Sequence, residues 1–106
     1  MKDLSKYCGV IPAFYACYKD NGEISTEGVK DLTRHLITKG VKGVYVGGSS
    51  GECLYQHPDE RKAVLEAVMS EARGKLTVIA HVACNNTADS KELAAHAEKC
   101  GVDAVA

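Results

Sequence analysis

No stretch of this chain of 106 residues holds the roughly 18 consecutive apolar residues of a membrane-crossing helix. The opening residues, Met1-Lys2-Asp3-Leu4-Ser5-Lys6, lack the hydrophobic core of a secretory signal and lead straight toward a strand. An excess of one charge is missing too. Thirteen basic residues meet 14 acidic ones for a net of −1, which excludes a polybasic surface for nucleic acid or an anionic membrane. There is no CxxC pair, and the five cysteines (Cys8, Cys17, Cys53, Cys84 and Cys100) are odd in number. They read as reduced, mostly buried small hydrophobes in a cytoplasmic protein. No GxxxxGK[ST] occurs, so a P-loop is excluded.

What is present is an alternation of short apolar strands and amphipathic helices. Residues 8–16 read as a buried strand. Ser25 caps a helix whose Val29, Leu32, Leu36 and Ile37 share one face, and Gly40 stops it. Residues 43–47 form a second strand. Pro58, followed by Asp59 and Glu60, opens a second helix with Val64, Leu65, Val68, Met69 and Ala72 on its inner face, ended by Arg73-Gly74. Residues 76–82 are a third strand. Thr87 caps a third helix carrying Leu93, Ala94, Ala97 and Cys100, which Gly101 closes, and residues 102–106 begin a fourth strand. Val10, Val44 and Val78 lie 34 residues apart, the spacing of a strand–helix unit.

Apolar strands joined by helices imply a parallel sheet covered by helices. Three such units and a strand stub fall well short of the roughly 250 residues of a (β/α)₈ barrel. Residues 1–106 therefore read as the N-terminal portion of a single α/β TIM barrel. The rival is a small open flavodoxin-like sheet, which wants five strands.

The richest stretch is Gly43-Val44-Tyr45-Val46-Gly47-Gly48-Ser49-Ser50-Gly51-Glu52. Glycines let a backbone approach a ligand closely, and two adjacent serines with their N–H groups make a compact anion cradle. A flexible turn is the bland alternative. Gly47-x-Ser49-x-Gly51 also matches a nucleophile elbow, but residues 53–57 delay the helix that an elbow needs at its serine. Asp89 and His96, the partners for a triad, both fall on the third helix.

His81-x₂-Cys84 and His96-x₃-Cys100 imitate zinc spacing. The third helix runs back along its strand and carries Cys100 roughly 18 Å from Cys84, too far for one ion. His35 and His57 read as surface or capping residues. A Schiff-base lysine must be desolvated, and none of the ten lysines falls inside a predicted strand.

The Gly43–Glu52 stretch resembles the strand-two signature of the N-acetylneuraminate lyase and dihydrodipicolinate synthase family, pyruvate-dependent class I aldolases on a (β/α)₈ barrel. Tyr45 and Gly47-Gly48 favour the N-acetylneuraminate lyase branch. Glu60-Arg61, Ile79-Ala80-His81-Val82, Thr87-Ala88 and Gly101-Val102-Asp103-Ala104-Val105 continue the likeness. The resemblance implies a 2-keto acid cleaved to pyruvate plus an aldehyde through a lysine imine. It implies Ser50 on the substrate carboxylate and Ser49 orienting or relaying protons with a tyrosine, with Gly48 and Tyr45 lining the site.

The Schiff-base lysine and catalytic tyrosine belong to later strands, so the chain alone is expected to be inactive. The family needs no metal or diffusible cofactor and assembles as homotetramers; a fragment with open strand edges is expected to self-associate. One stretch departs from the pattern. Ala16-Cys17-Tyr18 stands where the family usually has Thr-Pro-Phe. Two alternatives stay open: a dihydrodipicolinate synthase-like or unassigned aldolase branch, and a non-catalytic α/β domain holding a carboxylate or phosphate.

Overall fold

The computed structural model describes residues 2–106. Three parallel strands, β1 (Gly43–Val46), β2 (Thr77–Ala80) and β3 (Ala104–Val105), lie in the order β1-β2-β3. Parallel neighbours need a crossover, and α2 (Pro58–Ala72) and α3 (Thr87–Cys100) supply the two. The helix α1 (Thr26–Lys39) precedes β1. The order in space follows the order in sequence, as in a barrel wall.

The expected strand over residues 8–16 is not a regular strand. An extended segment does run beside β1, with an isolated parallel bridge between Ala13 and Tyr45. The Tyr45 N–H donates to the Pro12 carbonyl at 3.0 Å, and the Phe14 N–H donates to the Tyr45 carbonyl at 2.9 Å. Proline carries no N–H, so the rung that position 12 should donate is missing and the ladder never becomes continuous. The 34-residue spacing holds only in part. Val44 pairs with Val78, but the Ala13–Tyr45 bridge leaves Val10 two residues short of that level, and it is 68% exposed.

One sheet face is dry. Val44, Val46, Val78 and Ala80 pack with Phe14 against Val29 of α1, Val64, Leu65, Val68, Met69 and Ala72 of α2, and Ala97 of α3. Side chains alternate along a strand, so Tyr45 and Ile79, which are register partners, lie on the opposite face. Both are only half-buried, with no helix laid over them. That open face corresponds to a barrel interior.

Helix ends obey local rules. Ser25 Oγ accepts from the Gly28 N–H at 3.0 Å, and Gly40 and Gly101 close α1 and α3 in the left-handed conformation. The cap of α3 is Asn86 rather than Thr87: its Oδ1 accepts the Asp89 N–H at 2.8 Å, and Thr87 is already helical. The cysteine reading also needs correction. Cys8 is exposed and the other four are half-buried, because they sit at element ends rather than inside the core. Partial burial pushes the Cys17 thiol up in pKa, and burial aided by Glu66 does the same for Cys100. Among the described residues no helix is long and apolar enough to cross a membrane.

Candidate functional site at the carboxyl end of the sheet

Gly47 leaves β1 with φ +83°, and Glu52 also takes a left-handed backbone at φ +59°. Between them the chain winds tightly. The Gly48 carbonyl accepts the N–H groups of Gly51 (3.0 Å) and Cys53 (3.2 Å), and the Ser49 carbonyl accepts that of Glu52 (3.0 Å). A short 3₁₀ turn, Cys53–Tyr55, follows before α2 begins. The helix is delayed, as read from the sequence, so Ser49 stands on no nucleophile elbow.

The structure brings Tyr45, Gly48, Ser49 and Ser50 together at the carboxyl end of β1. Gly48 is buried under the Tyr45 ring; a Cβ there would lie 2.9 Å from Tyr45 Cε1. Ser49 and Ser50 are exposed, and neither their hydroxyls nor their N–H groups have a partner among the described residues. Four donors at one tip are thus uncommitted. Ser50 also borders a groove of about 370 Å³ shared with Tyr15 and with Leu32, His35 and Leu36 of α1.

Two groups steady this tip from below. His81 Nδ1 lies 3.0 Å from the Gly47 carbonyl, so the proton sits on Nδ1, and its ring tilts against Tyr45 at 5.8 Å between centroids. Arg61 reaches up from the first turns of α2, 8% exposed. Its Nη1 donates to the Ala83 carbonyl (2.8 Å) and Cys84 Sγ (3.2 Å); its Nη2 donates to the carbonyls of His81 (2.8 Å) and Gly47 (3.3 Å).

The sequence reading named Arg61 only as part of a motif. A signal was present: one cation on the stripe that continues through Val64, Leu65, Val68 and Ala72. The Ala16-Cys17-Tyr18 departure touches the loop as well. Gln56 Nε2 donates both to the Tyr18 hydroxyl and to the Gly51 carbonyl, each at 3.1 Å.

The zinc-like pairs are occupied elsewhere. His81 and Cys84 meet Gly47 and Arg61, while His96 lies 3.6 Å from Cys100 and 3.8 Å from Glu66. No cluster of three or more His, Cys, Asp or Glu among the described residues has metal-binding geometry.

A parallel sheet crossed over by helices, with a donor-rich loop at its carboxyl end, defines an α/β protein of the βα-repeat class. The model of the dihydrodipicolinate synthetase family matches residues 6–106, and the chain belongs to that family. It is 69% identical over all its 106 residues to an N-acetylneuraminate lyase of Mediterraneibacter gnavus, covering 34% of that protein. The solved sialic acid aldolase of Ruminococcus gnavus, a catalytic lysine mutant, is 68% identical with TM-score 0.98, over 99% of this chain and 34% of that one. An N-acetylneuraminate lyase from Mycoplasma synoviae is 32% identical with TM-score 0.94, over 97% and 36%. The chain thus spans about a third of the length of the relatives it matches. Its fold is the N-terminal part of a (β/α)₈ barrel: an extended first segment with α1, then β1–α2, β2–α3 and the short strand β3.

Proposed function

We propose that the protein carrying this segment is a cytoplasmic class I aldolase of the N-acetylneuraminate lyase type, cleaving a 2-keto acid to pyruvate and an aldehyde. One observation carries the reading. At the carboxyl end of a parallel sheet, two adjacent serines hold two hydroxyls and two N–H groups free, the donor set that a carboxylate takes. Ser50 binds the carboxylate through its hydroxyl and N–H, and Gly48 lets the backbone come close. Ser49 orients or relays a proton, and Tyr45 lines the floor.

The covalent chemistry belongs to a lysine outside these residues. None of β1, β2 or β3 contains one; Lys42 and Lys75 only flank strands. That amine condenses with the ketone and loses water. The iminium takes the electron pair as the C3–C4 bond breaks, the C4 hydroxyl gives up its proton, and the aldehyde leaves. Hydrolysis of the protonated enamine then frees pyruvate and the amine. Neither metal nor diffusible cofactor is required, and the barrel-length protein assembles as a homotetramer.

Completion of the barrel tests this. The 106 residues are joined to the remaining two thirds of the Mediterraneibacter gnavus lyase and treated with pyruvate and borohydride. One lysine outside residues 2–106 should gain the pyruvate mass, and the 106-residue chain alone should gain none. An adduct on a lysine within these residues would sink the assignment.

A further inference from the structure

Arg61 presents an unusual account. It is 8% exposed, and none of the ion pairs among the described residues includes it. Its four acceptors are three backbone carbonyls and the Cys84 sulfur, whose own S–H is aimed at the Val82 carbonyl at 3.6 Å; no carboxylate is among them. A buried cation without an anion is costly, and a neutral donor would tie the same carbonyls together with less desolvation. Its positive charge therefore calls for a reason besides cross-linking β1, β2 and the segment after β2.

The position suggests that reason. Arg61 Nη2 holds the Gly47 carbonyl, two residues before Ser49, and it shares that carbonyl with His81 Nδ1. Gly47 sits at φ +83°, which turns its carbonyl down toward the guanidinium and sends the chain into the serine tip. The same guanidinium grips the carbonyls of His81 and Ala83, so the turn after β1 and the segment after β2 hang from one group. A fixed positive charge in a poorly solvated place acts on a nearby anion more strongly than one in water.

We propose that Arg61 is a positioning residue for carboxylate recognition, shaping the Gly47–Ser50 turn and supplying the positive potential beneath it. It touches no substrate and acts through Gly47. The inference rests on the reading of Ser49–Ser50 as the carboxylate cradle.

The barrel-length chimera is the test object, with pyruvate binding followed by calorimetry and keto acid cleavage by steady-state kinetics. Arg61→Met should weaken pyruvate binding and raise KM by about tenfold, with kcat within about threefold of the parent. Arg61→Lys keeps the charge but loses the fork, and it should recover part of the loss, to about threefold. A lower Tm with pyruvate affinity within twofold of the parent would make Arg61 a structural cross-link and overturn the proposal. Should Arg61→Met fail to fold, Arg61→Lys decides by the same criterion. If neither folds, selective ¹⁵N-arginine spectra of the parent decide: the Arg61 Nη resonances should move on saturation with pyruvate, and their staying put overturns it. A parent that binds pyruvate without forming a lysine adduct fails the aldolase reading alone, and the Arg61 comparison still decides. A parent that binds none overturns both.

Discussion

The two ends of the sheet use polar groups in opposite ways. At the amino end, side chains are spent on backbone and on one another. The Asp103 carboxylate accepts the Val78 N–H at 2.9 Å and Lys6 Nζ at 3.2 Å, while the Tyr7 hydroxyl donates to the Asp103 carbonyl at 2.9 Å. Thr77 Oγ1 donates to the Lys6 carbonyl at 2.8 Å. At the carboxyl end, the loop's own carbonyls are held by Arg61, His81 and Gln56, and the serine donors are left over. The amino end ties its loop to the sheet through these side chains, while the carboxyl end keeps two adjacent hydroxyls free. The proposed function puts ligand binding at the end where donors are free and leaves the other to stability, the division seen in barrels generally.

The sharpest way to break that contrast is at Gly43, where β1 starts. It is buried, and an added Cβ would run into the Thr77 carbonyl and lie 2.9 Å from Thr77 Cβ. Neither atom is the free end of a flexible side chain. Gly43→Ala should cost more than about 3 kcal/mol, because backbone of two strands must separate. Loss of a cooperative thermal transition by circular dichroism is the expected result. A Tm within a few degrees of the parent would show that the amino end yields more easily than its packing suggests.

At the other end, Ser50→Ala should leave the fold alone, since the side chain is exposed and makes no internal bond. Removing one hydrogen bond to a charged ligand is worth roughly 1.5–3 kcal/mol, so kcat/KM should fall about 10- to 100-fold in the completed barrel. An unchanged Tm beside that loss would set the two ends apart. Kinetics within twofold of the parent would mean that this hydroxyl does not meet the carboxylate.

These two positions also show what a linear reading catches. Ser50 stood out because glycines and hydroxyls cluster in sequence, and helix boundaries at Ser25, Gly40, Pro58 and Gly101 follow from capping residues acting over three or four positions. Gly43 was read only as the first residue of a strand and a motif, and Arg61 only as part of a motif, because their partners are backbone carbonyls 14 to 34 residues away: Gly47 and His81 for Arg61, Thr77 for Gly43. A carbonyl has no sequence signature. The broken first strand had one, Pro12, whose missing N–H outweighs the apolar run around it. Asn86 and Thr87 both suit a cap, and only the backbone angle separates them.

The smallest expected effect concerns the amino end's ion pair and its dependence on pH. Lys6 is held above the usual lysine value of 10.5, chiefly by its hydrogen bond to Asp103. A lysine whose folded pKa is raised stabilises the fold fully below its unfolded value, and that contribution fades as pH climbs through the folded one. Lys6 is well exposed, so water and salt screen the pair and its share is slight. In thermal melts of native chain and Lys6→Met, the native Tm should sit slightly higher from pH 7 to 9. The gap should close as pH climbs past the usual lysine value and through the raised one. It should also narrow at molar salt at every pH. A gap that persisted to pH 12 in high salt would belong to the packing of the Lys6 stem rather than to its charge.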